Sequence, residues 1–181
     1  ILKCHQAGSM ILGICGGFQM LGKKICDPEN LESSEKEVEG LGLFDFHTTL
    51  MPDKLTRQIQ LKTVNSRVFP EGIHCEGYEI HMGRTIFANK YPTLFSAPNE
   101  DNPMNFGIIN QEGTVIGTYL HGFLDQNLFR QNILTYLRNA KGIPTPQSNF
   151  DYSEFRTKEL NKLADLVKTS INIEAIEKIL E

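Results

Sequence analysis

The sequence lacks several things that would place it in other classes. No apolar run approaches the roughly 20 residues a membrane-spanning helix needs, so no membrane partner is expected. No Lys/Arg cluster stands out, the densest basic spot being "GKK" at Gly22 to Lys24, and the formal net charge is −4. That balance gives no electrostatic footprint for nucleic acid. The four cysteines, Cys4, Cys15, Cys26 and Cys75, form no C-x-x-C pair, which excludes a zinc ribbon or a dense disulfide framework. Reduced thiols in a cytoplasmic protein are the expectation, with no metal site. His74 and His81 flank Cys75 at no standard zinc spacing. No G-x-x-x-x-G-K-[ST] occurs, so no P-loop is present. Repeats and low-complexity tracts are absent too, and the N-terminal residue is not Met.

What remains is an ordinary globular composition, 40% hydrophobic and 22% charged over 181 residues, sized for one domain. "SMILGIC", Ser9 to Cys15, is continuously apolar and ends in glycines, as a strand buried on both faces of a parallel sheet does. "GGFQML" then turns into a short helix. "LTRQIQLKTV" alternates apolar and polar residues and reads as a half-buried strand of antiparallel habit. "GYEIHMGRTIF" is a strand with a glycine break at Gly83. "NFGIIN" and "TVIGTYL" are two more strands, divided by the turn residues "QEG". The acidic "ENLESSEKEVEG" reads as a solvated loop. A helix follows "HGF", with Asp125 as its cap, Leu128, Phe129, Ile133, Tyr136 and Leu137 on one face and Gly142 as its stop. "PTPQSN" is a loop. A second helix, about Tyr152 to Lys168, carries Phe155, Leu160, Leu163 and Val167 on one stripe, and a short one follows Asn172. The sum is α/β.

Gly13-Ile14-Cys15-Gly16-Gly17 fits G-x-nucleophile-x-G, an elbow that lifts a nucleophile onto a sharp strand-to-helix turn. Glycines remove side chains that would crowd such a turn. The start of the helix favours a thiolate at Cys15, and the Gly16 N–H, lacking a helical partner, is available to an oxyanion. A thiolate nucleophile needs a general acid/base. His5 and His47 lie in unremarkable settings. His121 ends the apolar strand "TVIGTYL" and precedes Gly122, a strand-end position where open α/β sheets place their chemistry. His81 also ends an apolar stretch. The residues thus describe a Cys–His hydrolytic or transfer site, with His121 favoured over His81.

"LGICGGFQMLG", "GLGLF", "EGYEIHMGRT" and "GTYLHGFLD", in this order and spacing, resemble the glutamine amidotransferase domain of the cobyric acid synthase family, and the tail from Phe155 resembles that family's C-terminal end. "GICGG.Q" alone marks only a class I glutamine amidotransferase; "GYEIHMG" with "GTYLHG" is far more specific. The resemblance implies a mostly parallel, flavodoxin-like sheet with flanking helices, over a glutaminase domain spanning 1–181. The strands and glycine loop that open the family's domain are not among these residues, so the chain reads as a C-terminal piece. The resemblance places the nucleophile at Cys15, the catalytic histidine at His121 and a substrate-contacting glutamine at Gln19. It implies glutamine as substrate and a synthetase domain in the same polypeptide acting on a corrinoid. ATP and Mg²⁺ are expected for that domain, and no cofactor for this chain. Related alternatives are cobyrinic acid a,c-diamide synthase, a cell-wall amidating enzyme, or a docking module without chemistry of its own. Most class I enzymes orient the histidine with a glutamate two residues on; here that position is Phe123. Glu79, on a strand beside Tyr78 and Ile80, is the strongest local candidate for the orienting group, and backbone carbonyls could equally hold His121.

Overall fold

The computed structural model describes residues 1–97, 103–146 and 150–180. A short helix α1 (Leu2–Gln6) leads into β1 (Ile11–Ile14), and α2 (Gly16–Leu21) follows after a single residue, Cys15. β2 (Lys24–Cys26) and β3 (Glu37–Glu39) precede the two longest strands, β4 (Phe46–Thr63) and β5 (His74–Phe87). Then come β6 (Phe95–Ser96), β7 (Ile108–Ile109), β8 (Val115–Thr118) and β9 (Leu120–His121), and the helices α3 (Asn127–Lys141), α4 (Tyr152–Ser170) and α5 (Ile173–Leu180).

The mixed α/β class with flanking helices is borne out. The parallel content is lower than expected: among the described pairings only β1–β8 and β2–β4 run parallel. One sheet has the order β1-β8-β7, the other β3-β2-β4-β5-β9 with β6 on β4. The cause is the β4–β5 hairpin. A direct connection between consecutive strands closes antiparallel, whereas parallel neighbours need a crossover. The hairpin's register jumps between Thr49 and Lys54, a stretch holding Pro52, which has no N–H to give a ladder. Opposite it stands Gly83 at φ +101°, where a Cβ would lie 2.6 Å from the Thr49 carbonyl oxygen.

Two apolar clusters support these sheets. Phe18 of α2 packs with Phe46, Phe44, Leu21, Val115 and Tyr119; Phe69, Phe95, Phe123 and Phe129 centre the other. α2 sits so close to β8 that a Cβ on Gly117 would collide with the Phe18 ring. β1 is only half-buried apart from Gly13, not enclosed on both faces. Asp125 is not the cap of α3: it closes a 3-10 turn, Phe123–Asp125, and the N-cap is Gln126, whose side chain makes no capping bond and donates to the Glu76 carbonyl instead. Gly142, at φ +64°, does end α3, and Phe129 and Ile133 are its buried face, with Leu128 exposed. Part of the acidic run forms β3, because Glu37 to Glu39 pair with β2. The α4 stripe is exposed at Phe155, Leu160, Leu163 and Val167. "PTPQSN" lies partly outside the described residues.

Candidate active site

Cys15 stands alone between β1 and α2, as the N-cap of the helix, at φ 54° and ψ −116°. Positive φ in a residue bearing a Cβ is uncommon and costs of order 1–3 kcal/mol, and it persists only where neighbours over-determine it. They do so here. The Cys15 N–H donates to the Thr118 carbonyl at 2.9 Å, extending the β1–β8 ladder by one residue, and the Cys15 carbonyl accepts from Gln19 N–H at 3.1 Å. A Cβ at Gly13 would lie 2.6 Å from the Gly17 oxygen and 2.7 Å from Leu21 Cδ1, so this glycine permits the helix to fold back on its strand. Gly16 and Gly17 differ: a Cβ on either meets nothing within 4 Å. Their side of the elbow is open, and relief of crowding applies to Gly13 alone. Gly16 opens α2, and helix geometry gives its N–H no partner within the helix.

The Cys15 thiol is half-buried, and its Sγ donates to the Ile80 carbonyl at 3.2 Å. His121 Nε2 contacts that same oxygen at 3.2 Å. A carbonyl only accepts, so this contact places a proton on Nε2 and leaves Nδ1 as the lone-pair nitrogen of the neutral ring. Cys15 and His121, 106 positions apart in sequence, therefore meet at one backbone acceptor on β5. β9 brings His121 there by pairing opposite Tyr78. Gly77 allows the close approach, since a Cβ on it would collide with the His121 carbonyl. Gly122, at φ +79°, turns the chain away immediately afterwards.

Gln19 is buried, and its Nε2 donates to the Met82 carbonyl at 2.9 Å. The amide thus ties α2 to β5 two residues beyond Ile80. Glu79 does not meet His121. Its carboxylate accepts from Arg57 Nε at 2.6 Å and pairs with His81 Nε2 at 3.0 Å. The pleat explains the separation. His121 lies opposite Tyr78 and so shares its face, whereas Glu79 and His81 project from the other one. What holds His121 is the Ile80 carbonyl. Glu79 is 2% exposed. Burial alone would push its carboxyl up, but hydrogen bonds from His81 and Arg57, reinforced by their charge, hold it below the usual carboxylate range.

His81, the rival base, is engaged elsewhere: its ring stacks on Tyr119 at 3.9 Å between centroids and 20° between planes. The Tyr119 hydroxyl lies 2.6 Å from Thr85 Oγ1, which lies 2.9 Å from Thr48 Oγ1. Burial pushes the Tyr119 phenol up despite these bonds. Arg57, Glu79, His81, Arg84, Asn105 and Tyr119 line a cavity of about 590 Å³. Among the described residues no group of three or more His, Cys, Asp or Glu is placed to hold a metal ion. Ile80, Arg57 and Tyr119 were not identified from sequence. A backbone carbonyl leaves no residue-type signal, and Arg57 would emerge only from the hairpin register that sets it opposite Glu79.

Residues 1–129 match the family model described as the CobB/CobQ-like glutamine amidotransferase domain. The chain is 41% identical over 192 aligned residues to a cobyric acid synthase of Alkaliphilus metalliredigens, covering 100% of this chain and 38% of that protein. A cobyric acid synthase of Dehalococcoides mccartyi is 43% identical, over 99% of this chain and 36% of its own length. One from Caldanaerobacter subterraneus is 36% identical, over 100% and 37%. The chain thus spans somewhat more than a third of these relatives. A solved chain of PurLQS from Thermotoga maritima shares the fold with TM-score 0.54 at 20% identity, over 75% of this chain and 66% of that one.

Proposed function

Because this chain belongs to the CobB/CobQ-like glutamine amidotransferase family, we propose that it is the glutaminase part of a cobyric acid synthase. It hydrolyses glutamine at Cys15 and supplies the ammonia with which a synthetase portion amidates corrinoid carboxylates. The observation that carries this is the convergence of Cys15 Sγ and His121 Nε2 on the Ile80 carbonyl, each at 3.2 Å. The relatives' greater length supports a synthetase portion in the same polypeptide. ATP and Mg²⁺ belong to that portion, and no step below runs through them.

The chemistry starts with transfer of the thiol proton to the imidazole of His121. Sulfur attacks the side-chain amide carbon of glutamine, forming the C–S bond, and the carbonyl π pair moves onto oxygen. The Gly16 N–H donates to that oxyanion. His121 returns a proton to the amide nitrogen, the C–N bond breaks, and ammonia leaves a glutamyl thioester. His121 then takes a proton from water, hydroxide adds to the thioester, and the C–S bond breaks to give glutamate, with His121 returning its proton to the departing sulfur as the free thiol. The nitrogen that takes these protons is one without a hydrogen, so the Nε2 proton held on the Ile80 carbonyl has to be carried on Nδ1 instead before Nε2 can act as base.

The test is a glutaminase assay, with labelling by an electrophilic glutamine analogue. Cys15→Ala should abolish turnover and labelling. His121→Gln should lower turnover by a factor of ~10²–10⁴, the usual contribution of a positioned acid/base. Labelling spread over Cys4, Cys15 and Cys26, or activity surviving in Cys15→Ala, would refute the assignment.

A further inference from the structure

The shared carbonyl belongs to the peptide between Ile80 and His81, so whatever fixes the backbone there also fixes where Cys15 and His121 meet. The side chains on either side of Ile80 are both anchored. Glu79 is buried, with one carboxylate oxygen on Arg57 and the other on His81. Arg57 lies directly opposite Glu79 in the β4–β5 register, so this ion pair spans a cross-strand pair and opposes slippage. The His81 ring lies flat on Tyr119. Tyr119 in turn sits between Thr118, whose carbonyl holds the Cys15 N–H, and Leu120–His121. One contact thereby joins the strand that offers the acceptor to the segment that carries His121 and holds the Cys15 N–H. Two successive same-face side chains locked in this way leave the peptide between them no freedom to swing.

We propose that Arg57, Glu79 and His81 form a positioning cluster that holds the Ile80 carbonyl as the common anchor of Cys15 and His121; this inference rests on the Cys15–His121 reading above. The contacts described for the three run to one another, to Tyr119 and to Phe106. The three act through the backbone. A charged cluster serving stability alone is the competing account, and replaceability of buried ion pairs at no net cost speaks against it.

The experiment is glutaminase kinetics on the chain joined to its synthetase portion, with Cys15 alkylation by iodoacetamide followed from pH 5 to 10. In Glu79→Gln, kcat should fall by about 10–100-fold, as misplacement of reacting groups by an ångström does. KM for glutamine should stay within about twofold, and the midpoint of the alkylation profile should move. Arg57→Gln should behave likewise, with Arg57→Lys restoring most of the turnover, so a Glu79 variant that fails to fold does not decide the matter. Wild-type kcat and an unmoved alkylation midpoint in folded Glu79→Gln or Arg57→Gln, with Cys15→Ala inactive, would overturn the positioning role and leave the glutaminase reading standing. Turnover persisting in Cys15→Ala would instead remove the reading on which this inference rests.

Discussion

At the scale of single residues, the elbow separates two jobs that glycine does in the same five-residue stretch. Gly13 is demanded by packing, because its missing Cβ is where the Gly17 oxygen and Leu21 Cδ1 lie. Gly16 borders open space, so its value lies in a backbone N–H that has no partner within the helix. The two should part on mutation. Gly13→Ala should lose about 1–3 kcal/mol of unfolding free energy, the usual cost of overpacking, with activity falling as the elbow shifts. Gly16→Ala keeps that N–H and should unfold in urea within about 0.5 kcal/mol of the parent, losing turnover through the methyl it sets in the open space from which the oxyanion approaches. Equal stability of the two variants would mean that α2 has room to move off β1.

Among the secondary-structure elements, α4 depends least on packing. It has no buried residue among the side chains described, and its apolar stripe faces outward. In water such a helix leans on its ends. Asp151 supplies one of them: Oδ1 accepts from Glu154 N–H at 3.0 Å, and Oδ2 accepts from Asn127 Nδ2 at 2.6 Å, fastening α4 to the start of α3. Asp151→Ala should reduce the helical circular-dichroism signal and speed proteolysis within 143–170, while the thermal unfolding of the sheets stays close to the parent's. A variant with unchanged helicity and unchanged proteolysis would show that α4 is held by something other than its cap. The hairpin makes the opposite case. There a bulge opposite Gly83 and a cross-strand ion pair set the register, and the proposed chemistry depends on it.

For the whole molecule, the buried and bonded titratable groups define a pH window of stability. Glu79, Asp27 and Asp151 are held below the ordinary carboxylate range in the folded state. Asp27 owes this to N–H donors on Glu32, Leu31 and Ser33. Their contribution is present above the unfolded pKa of about 4 and is lost as pH falls through the folded values. Cys75 works in the other direction. Burial pushes its thiol up to about 12, so the unfolded chain ionises from about pH 8.5 while the folded one does not. Stability should therefore decline between about pH 9 and 12, by up to ~1.4 kcal/mol per pH unit from this group. Thermal melts from pH 3 to 11 should show a plateau from about pH 5 to 8 with a fall on both sides. Cys75→Ala should start lower, from the cavity, yet lose less on going from pH 8.5 to 10. An alkaline limb of unchanged slope in that variant would assign the decline to other groups, such as the buried Tyr119.

Elements that depend on neighbours along the chain are legible in the residues themselves. Gly13 to Gly17 predict a sharp strand-to-helix turn, Gly142 ends its helix, and the alternation of Leu55 to Val64 marks an antiparallel strand. The family resemblance also rests on short local motifs, and it singled out Cys15 and His121 before any geometry was known. Tertiary structure decided everything that crosses between strands. Glu79 and His81 share a face, as period-2 alternation requires, but whether His121 shares it depends on which residue of β5 it pairs with. That residue is Tyr78, so Glu79 turns to Arg57 and His81 instead. The anchor of His121 is a main-chain oxygen, which every residue possesses and no sequence pattern marks. Only the folding of β5 beside the elbow selects the one at Ile80.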